Sequence, residues 1–249
     1  MIAVRAIVAA FSFLTILPFG RLVALDGRDV ARGSVLFPVV GATIGALTGG
    51  LAWVLGDQLP SLLAAVLAVA AGVLVTGALH LDGLADCADG FGARTPEDRL
   101  RVMRDHTNGT YGGSALLLDL MIRVAALAAL AGSRDALLIS VAAGALSRVA
   151  GPILAARLPY AQGRPGAGEA LNANPSGPRA GVTYALGALI AFAVVDVRPW
   201  SASLLATVVV VGAVGWLAKR RLGGVTGDVM GAASELVELT VLVLAVALL

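Results

Sequence analysis

Between Thr76 and Arg94 the chain reads TGALHLDGLADCADGFGAR. Its acids, Asp82, Asp86 and Asp89, are spaced i, i+4 and i+7. At ~100° per residue they fall within about 60° of one another on a helix. Three carboxylates on one stripe repel one another unless a cation neutralises them. Oxygen ligands at this density suit Mg²⁺, which prefers carboxylates together with substrate phosphates. The plain alternative is a helix end emerging into water, where acids need no partner. Arg94 follows at once, then Arg99, Arg101, Arg104 and Asp105, and the stretch closes on NGTYGG. A guanidinium fork matches phosphate oxygens, so Arg94 and Arg104 are candidate phosphate contacts. Ordinary basic charge beside a membrane accounts for Arg99 and Arg101. His80, just ahead of the stripe, reads first as a structural donor and second as a base.

A second group lies near the end of the chain, where Gly223-Gly224-Val225-Thr226-Gly227-Asp228 precedes Glu235 and Glu238. Glycines ahead of a helix start let backbone N–H groups point at an anion, which makes Gly223, Gly224 and Thr226 a candidate phosphate cradle. Asp228 and Glu235, seven residues apart, share a helical face; Asp228 is a further candidate metal ligand and Glu235 a candidate base. An ionised Glu inside lipid costs at least ~2–3 kcal/mol, so Glu235 and Glu238 must face a polar interior. Asp119 and Arg123, at i and i+4, most simply form an internal ion pair. Arg148, alone in its apolar stretch, pairs either with an acid or with a substrate phosphate. GRPGAG at Gly163–Gly168 is not followed by Lys-Ser/Thr, so it is no nucleotide-binding P-loop; it reads as a mobile loop or lid.

The elements that hold these groups belong to a bilayer. Of 249 residues 58% are hydrophobic and 14% charged, with a mean hydropathy of +0.90; an average soluble domain carries roughly 25% charge. The expected architecture is an all-α, polytopic membrane bundle forming one catalytic domain, with about seven or eight hydrophobic helices. Uncharged runs cover Gly33–Gly56, Gln58–Leu79, Gly181–Val195 and Pro199–Ala218. Two more helices, about Tyr111–Gly132 and Asp135–Arg157, carry internal charges, and a last one covers about Val229–Leu249. The N-terminal segment lacks a basic opening and a small-residue cleavage site, and reads as a retained, shallow or re-entrant first helix. Arginine-rich loops around Gly20–Arg32, Asp82–Thr110, Arg157–Ala180 and Lys219–Arg221 alternate with short ones. The positive-inside rule places these basic loops, and the acidic stripe, in the cytoplasm; eight helices would then put both termini outside. A net charge of +2 gives no reason to expect a nucleic-acid partner. The single cysteine, Cys87, excludes an internal disulfide. The oligomeric state stays open.

The strings ALHLDGLADCADGFGAR, MRDHTNGTYG and GGVTGDVMGAASELVEL, with FLTILPFG and FPVVGATIG earlier, resemble the cobalamin synthase family, adenosylcobinamide-GDP ribazoletransferase. The resemblance implies a membrane-bound, Mg²⁺-using enzyme of a late step of cobalamin biosynthesis. It would join adenosylcobinamide-GDP to α-ribazole or its 5′-phosphate and release GMP. Asp86 to Arg94 also fits the opening D-x2-D-G-x2-A-R of the CDP-alcohol phosphotransferase signature, whose remaining glycine and two aspartates are absent. That family and the secondary transporters are the alternatives; a transporter's acids belong nearer the bilayer midplane. On this reading Asp82, Asp86, Asp89 and Asp228 hold one or two Mg²⁺ ions against a pyrophosphate. Arg94 and Arg104 contact phosphate, and Glu235, Asp105 or His80 accepts the proton of the attacking hydroxyl.

Overall fold

The computed structural model describes residues 2–21, 23–105, 107–161 and 168–249. The stretch read as a lid therefore falls, apart from Gly168, outside the described residues. Regular structure among them is helical, with one isolated backbone bridge between Tyr160 and Val225. In chain order the helices are α1 (Ile2–Leu14), α2 (Gly27–Gly33), α3 (Phe37–Gly56), α4 (Ser61–Thr76), α5 (Leu79–Gly92), α6 (Pro96–Val102) and α7 (Thr110–Leu130). There follow α8 (Arg134–Ser147), α9 (Ala150–Arg157), α10 (Glu169–Asn172), α11 (Gly177–Val194), α12 (Val197–Leu222) and α13 (Gly227–Leu248).

Among the described residues six stretches are long and apolar enough to cross a membrane: Gly27–Gly56, Thr110–Leu130, Arg134–Arg157, Gly177–Val194, Val197–Leu222 and Gly227–Leu248. The pair α4 and α5 passes the same test together but is bent by 90°. Six spans, or seven with that pair, replace the eight assumed for the topology. The physical reason is the length of α1: its 13 residues reach ~20 Å at 1.5 Å each, short of the ~30 Å hydrocarbon layer. Six spans would keep both termini on one side, as eight would; seven would put them on opposite sides. α1 itself is tied down at its start, where Arg5 bonds both carboxylate oxygens of Asp29 at 3.2 and 2.5 Å.

The 90° bend turns the acidic helix away from the direction of α4. Gly77 and Ala78 both take left-handed backbone conformations, φ 60° and 58°. Gly77 does so freely; Ala78, with a Cβ, is strained by roughly 1–2 kcal/mol. The two residues close α4 by donating their N–H groups to Leu74 and Val73. The carbonyl of Ala78 then accepts from Asp82 N–H at 2.9 Å and starts α5 in the new direction.

Lipid does not drive apolar helices together, so close backbone contact must. Along α3, Gly41, Gly45 and Gly49 repeat every four residues, and a Cβ on any of them would strike the backbone of α8 at Gly144, Ser140 or Ala136. The glycine stripe is what lets these two helices pack as closely as they do. α13 occupies the centre, against α5, α7, α8, α9 and α12. By contrast α7 and α12 turn Leu117, Leu118, Met121, Leu205, Val208 and Val209 outward, exposed as lipid-facing side chains should be.

Candidate active site

A cavity of about 420 Å³ opens between α1, the start of α3, α5, the segment after α6, α9 and α13. Asp82 and Asp228 line it, with His80, Arg104, Arg148, Tyr160 and Thr226. The acids of α5 and α13 meet because Gly83 lies against the partner helix: a Cβ there would sit 2.8 Å from the Asp228 carbonyl oxygen and 2.9 Å from its Cα. Gly231 similarly lets α13 approach the backbone of His80. Asp86, half-buried one turn below Asp82, has Asp82, Asp228 and Asp89 as its main charged neighbours, and no arginine among them. The three acids form a carboxylate cluster at the rim of a cavity. Among the described residues no three His, Cys, Asp or Glu side chains close around one point as a complete metal cage would. The donors are nevertheless all oxygen, and Mg²⁺ usually keeps waters and takes one or two carboxylates plus phosphate, so the set fits an open Mg²⁺ site.

Asp89 has turned to another partner. Its two oxygens accept the N–H groups of Gly109 (2.7 Å) and Gly112 (2.9 Å), the cap and second turn-forming donors of α7. The carboxylate thus sits on the positive end of α7. A Cβ on either glycine would collide with it. The helical stripe is real, but the third acid holds the NGTYGG segment in place.

The arginines divide as well. Arg104 lines the cavity, its charge acting on Asp228 and Tyr160. Arg94 is exposed and outside the lining. Arg99, read from sequence as ordinary basic charge, is 6% exposed and donates to the Arg221 carbonyl at 3.0 Å, fastening α6 to the C-terminal end of α12. Buried apolar surroundings override what a basic loop suggests. Asp105 is exposed and accepts from the Thr107 N–H and hydroxyl at 3.1 and 2.8 Å.

Tyr160, missed by the sequence reading, lines the cavity. Burial, with the charge of Asp228 nearby, pushes its phenol pKa up. Its position follows from the bridge to Val225, where Ala161 N–H donates to the Val225 carbonyl (2.8 Å) and Val225 N–H to the Pro159 carbonyl (2.9 Å). Gly224 permits that approach, since a Cβ would strike Pro159, and Gly223 ends α12 at φ 78°. Those two glycines, expected to cradle phosphate, stay outside the cavity lining; Thr226 lines it and caps α13 by accepting from Val229 N–H at 3.2 Å.

Behind the cavity lies a second set of charges. The expected Asp119–Arg123 pair is present at 3.3 Å. Arg123 also bonds Glu235, and Glu238 at 2.6 Å. Arg148 joins Glu238 at 2.8 Å, with Ser147 donating to the same carboxylate. Glu235, placed by sequence at the reaction centre, is instead 4% exposed and lines a small interior void of about 40 Å³ with Arg123, Arg148 and Glu238. Its other oxygen is 3.9 Å from His80 Nδ1. Of the three groups considered as proton acceptor, His80 lines the main cavity while Glu235 and Asp105 do not. Cys87, between two site acids in sequence, points into the core and is buried.

A family model for cobalamin-5-phosphate synthase matches residues 6–246. The chain belongs to the cobalamin-5-phosphate synthase family. It is 42% identical over 243 residues to the adenosylcobinamide-GDP ribazoletransferase of Chlorobaculum parvum, covering 94% of this chain and 92% of that one. It is 39% identical over 238 residues to the protein of the same name from Escherichia coli K12, covering 94% and 96%. No solved structure matches the chain.

Proposed function

We propose that the protein joins the phosphocobinamide half of adenosylcobinamide-GDP to α-ribazole, or its 5′-phosphate, with release of GMP, a late step of cobalamin biosynthesis. The observation that carries this is the family match along nearly the whole chain, on a chain in which a cavity of about 420 Å³ is lined by Asp82 and Asp228, with Asp86 beside them. In this reaction a ribose hydroxyl forms the new P–O bond and GMP leaves with the electrons of the bond that breaks.

Asp82, Asp86 and Asp228 would hold Mg²⁺, which when bound polarises the phosphoryl group and neutralises charge on the departing GMP. Arg104, beside Asp228, contacts the phosphates. Tyr160, its phenol kept protonated, donates to a ligand oxygen. Asp89 holds the start of α7 against α5, so that Asp86 and Asp82 keep their positions. Purified protein with adenosylcobinamide-GDP, α-ribazole and Mg²⁺ should release GMP; no release with all three present would remove this reading.

The cavity opens to the cytoplasm in this proposal, and the membrane is the cytoplasmic one. Basic residues gather at the cavity end: α6, with Arg99 and Arg101 and followed by Arg104, packs on the end of α12 that carries Lys219, Arg220 and Arg221. The positive-inside rule assigns that end to the cytoplasm. Because Cys87 is buried, a cysteine introduced at exposed Glu97 is the better reporter. Glu97→Cys, in a Cys87→Ala background, should react with a membrane-impermeant maleimide in inverted vesicles and stay unmodified in right-side-out ones.

A further inference from the structure

The main cavity has two unlike walls. α5, α13 and the segments at Arg104 and Tyr160 supply acids, a guanidinium and a phenol. The lining from α1, the start of α3, α6 and α10 is Phe13, Leu14, Phe37, Leu100 and Leu171, none of which carries a side-chain hydrogen-bonding group. Within it the rings of Phe13 and Phe37 stack, 5.5 Å apart and 10° from parallel, and Phe37 is 2% exposed. Such a wall is a flat, preformed surface for a planar heterocycle.

Size then narrows the occupant. A cavity of about 420 Å³ lies low in the ~300–1,000 Å³ range that encloses a drug-sized molecule. It takes one nucleoside and leaves an adenosylated corrin outside. Two bases compete for it under the proposed reaction, guanine and the dimethylbenzimidazole of α-ribazole. Guanine carries donors and acceptors around its edge, and burying them against phenylalanine and leucine would leave them unpaired at a cost. Dimethylbenzimidazole presents two methyl groups on the corresponding edge and loses nothing there.

Resting on the transferase reading above, we propose that the Phe13–Phe37 wall is the acceptor-base subsite. It holds the benzimidazole of α-ribazole with the ribose toward Asp82 and Asp228, while guanosine and corrinoid lie at the open rim. The subsite is then the element that selects apolar, alkylated bases, since methyl groups packed in such a pocket are discriminated by about 10-fold or more.

The test is GMP release by the purified full-length protein with Mg²⁺ and adenosylcobinamide-GDP, using three acceptors: α-ribazole, the α-riboside of unmethylated benzimidazole, and the α-riboside of adenine. Expected kcat/KM falls about 10-fold without the methyl groups and further with the purine. Phe13→Ala, at a half-buried position, should raise KM for α-ribazole about 10-fold and leave KM for adenosylcobinamide-GDP unchanged. Phe13→Leu, which keeps most of the apolar surface, should restore most of the loss, and matched melting curves guard against simple misfolding. Equal use of the three acceptors would overturn the subsite, as would a Phe13→Ala effect confined to KM for adenosylcobinamide-GDP; in both cases the transferase reading stands because wild-type protein releases GMP. Absence of release from wild type with every acceptor would overturn both.

Discussion

One helix serves two acidic regions of opposite character. Near its start α13 brings Asp228 to the cavity rim beside Asp82 and Asp86, with the charge of Arg104 acting on it. Two turns further it sends Glu235 and Glu238 into the interior, where Arg123 and Arg148 meet them directly. Residue type does not separate the two regions, and both lie in a chain that is overwhelmingly apolar. What separates them is the company kept: a buried charge survives in lipid by direct pairing, whereas a carboxylate cluster open to a cavity has room for a cation and a phosphate. Acids locked in buried ion pairs hold the bundle together; acids open to the cavity are available for chemistry.

Removing a cation from the interior should do the most damage. Arg123→Met leaves Asp119, Glu235 and part of Glu238 without their counter-charge. It should destabilise the fold by about 3–5 kcal/mol, the usual cost of stranding a buried charge. The measurement is thermal melting and yield of inserted protein, with GMP release per folded molecule near wild type. A large activity loss at unchanged stability would merge the two regions into one site.

The rim should respond the other way. Asp228→Asn keeps shape and loses charge, so turnover should fall at least ~100-fold, about 2.7 kcal/mol of transition-state stabilisation. The melting temperature should stay put. A melting shift as large as that of Arg123→Met would make Asp228 structural and leave the rim to Asp82 and Asp86.

Asp89 stands between the regions and sharpens the boundary. As the acceptor for Gly109 and Gly112 N–H groups it should behave as a helix cap. Asp89→Asn should cost about 1 kcal/mol of stability, with faster hydrogen exchange at those two amides. Turnover should fall less than in Asp228→Asn; a deeper fall would return Asp89 to the ligand set.

The smallest effect belongs to the hinge ahead of the rim. Ala78→Gly relieves a left-handed alanine worth roughly 1–2 kcal/mol while loosening the unfolded chain by about 0.4–1 kcal/mol. The net gain should lie between about 0 and 1.6 kcal/mol, read as an equal or slightly higher melting temperature with unaltered GMP release.

Much of this was legible in the residues, because a bilayer demands long apolar runs and punishes isolated charge. The spans of α3, α7, α12 and α13, the acidic stripe and the Asp119–Arg123 pair follow from composition and helical periodicity. The strings around Asp82–Arg94 and Gly223–Leu239 carried the family likeness. Other features depend on contacts between distant segments that no local pattern encodes. Nothing near Ala78 announces a left-handed turn in a non-glycine residue. Tyr160 reaches the cavity through a two-residue bridge to Val225, and Arg99 is buried because α12 ends where α6 passes. Glu235 misled for a related reason: its helical face was read correctly, but seven residues of helix carried it ~10 Å past the rim and into reach of Arg123.

The interior pairs also set a timetable for biosynthesis. Arg123 and Arg148 bond a carboxylate, Glu238, that lies 115 and 90 residues later in the chain. At roughly 5–20 residues per second of synthesis, the two arginines wait on the order of 10 s for it. Until α13 arrives, α7 and α8 hold two guanidiniums with Asp119 as the sole acid of the eventual network on the nascent chain. Those helices therefore pass through a stage in which water, lipid headgroups or the insertion machinery must solvate the excess positive charge. The arrival of α13 discharges that intermediate and, in the same docking event, delivers Asp228 to Asp82 and Asp86. Assembly of the rim is thereby gated by completion of the interior, so an incompletely synthesised protein presents no finished site to the cell's nucleotides.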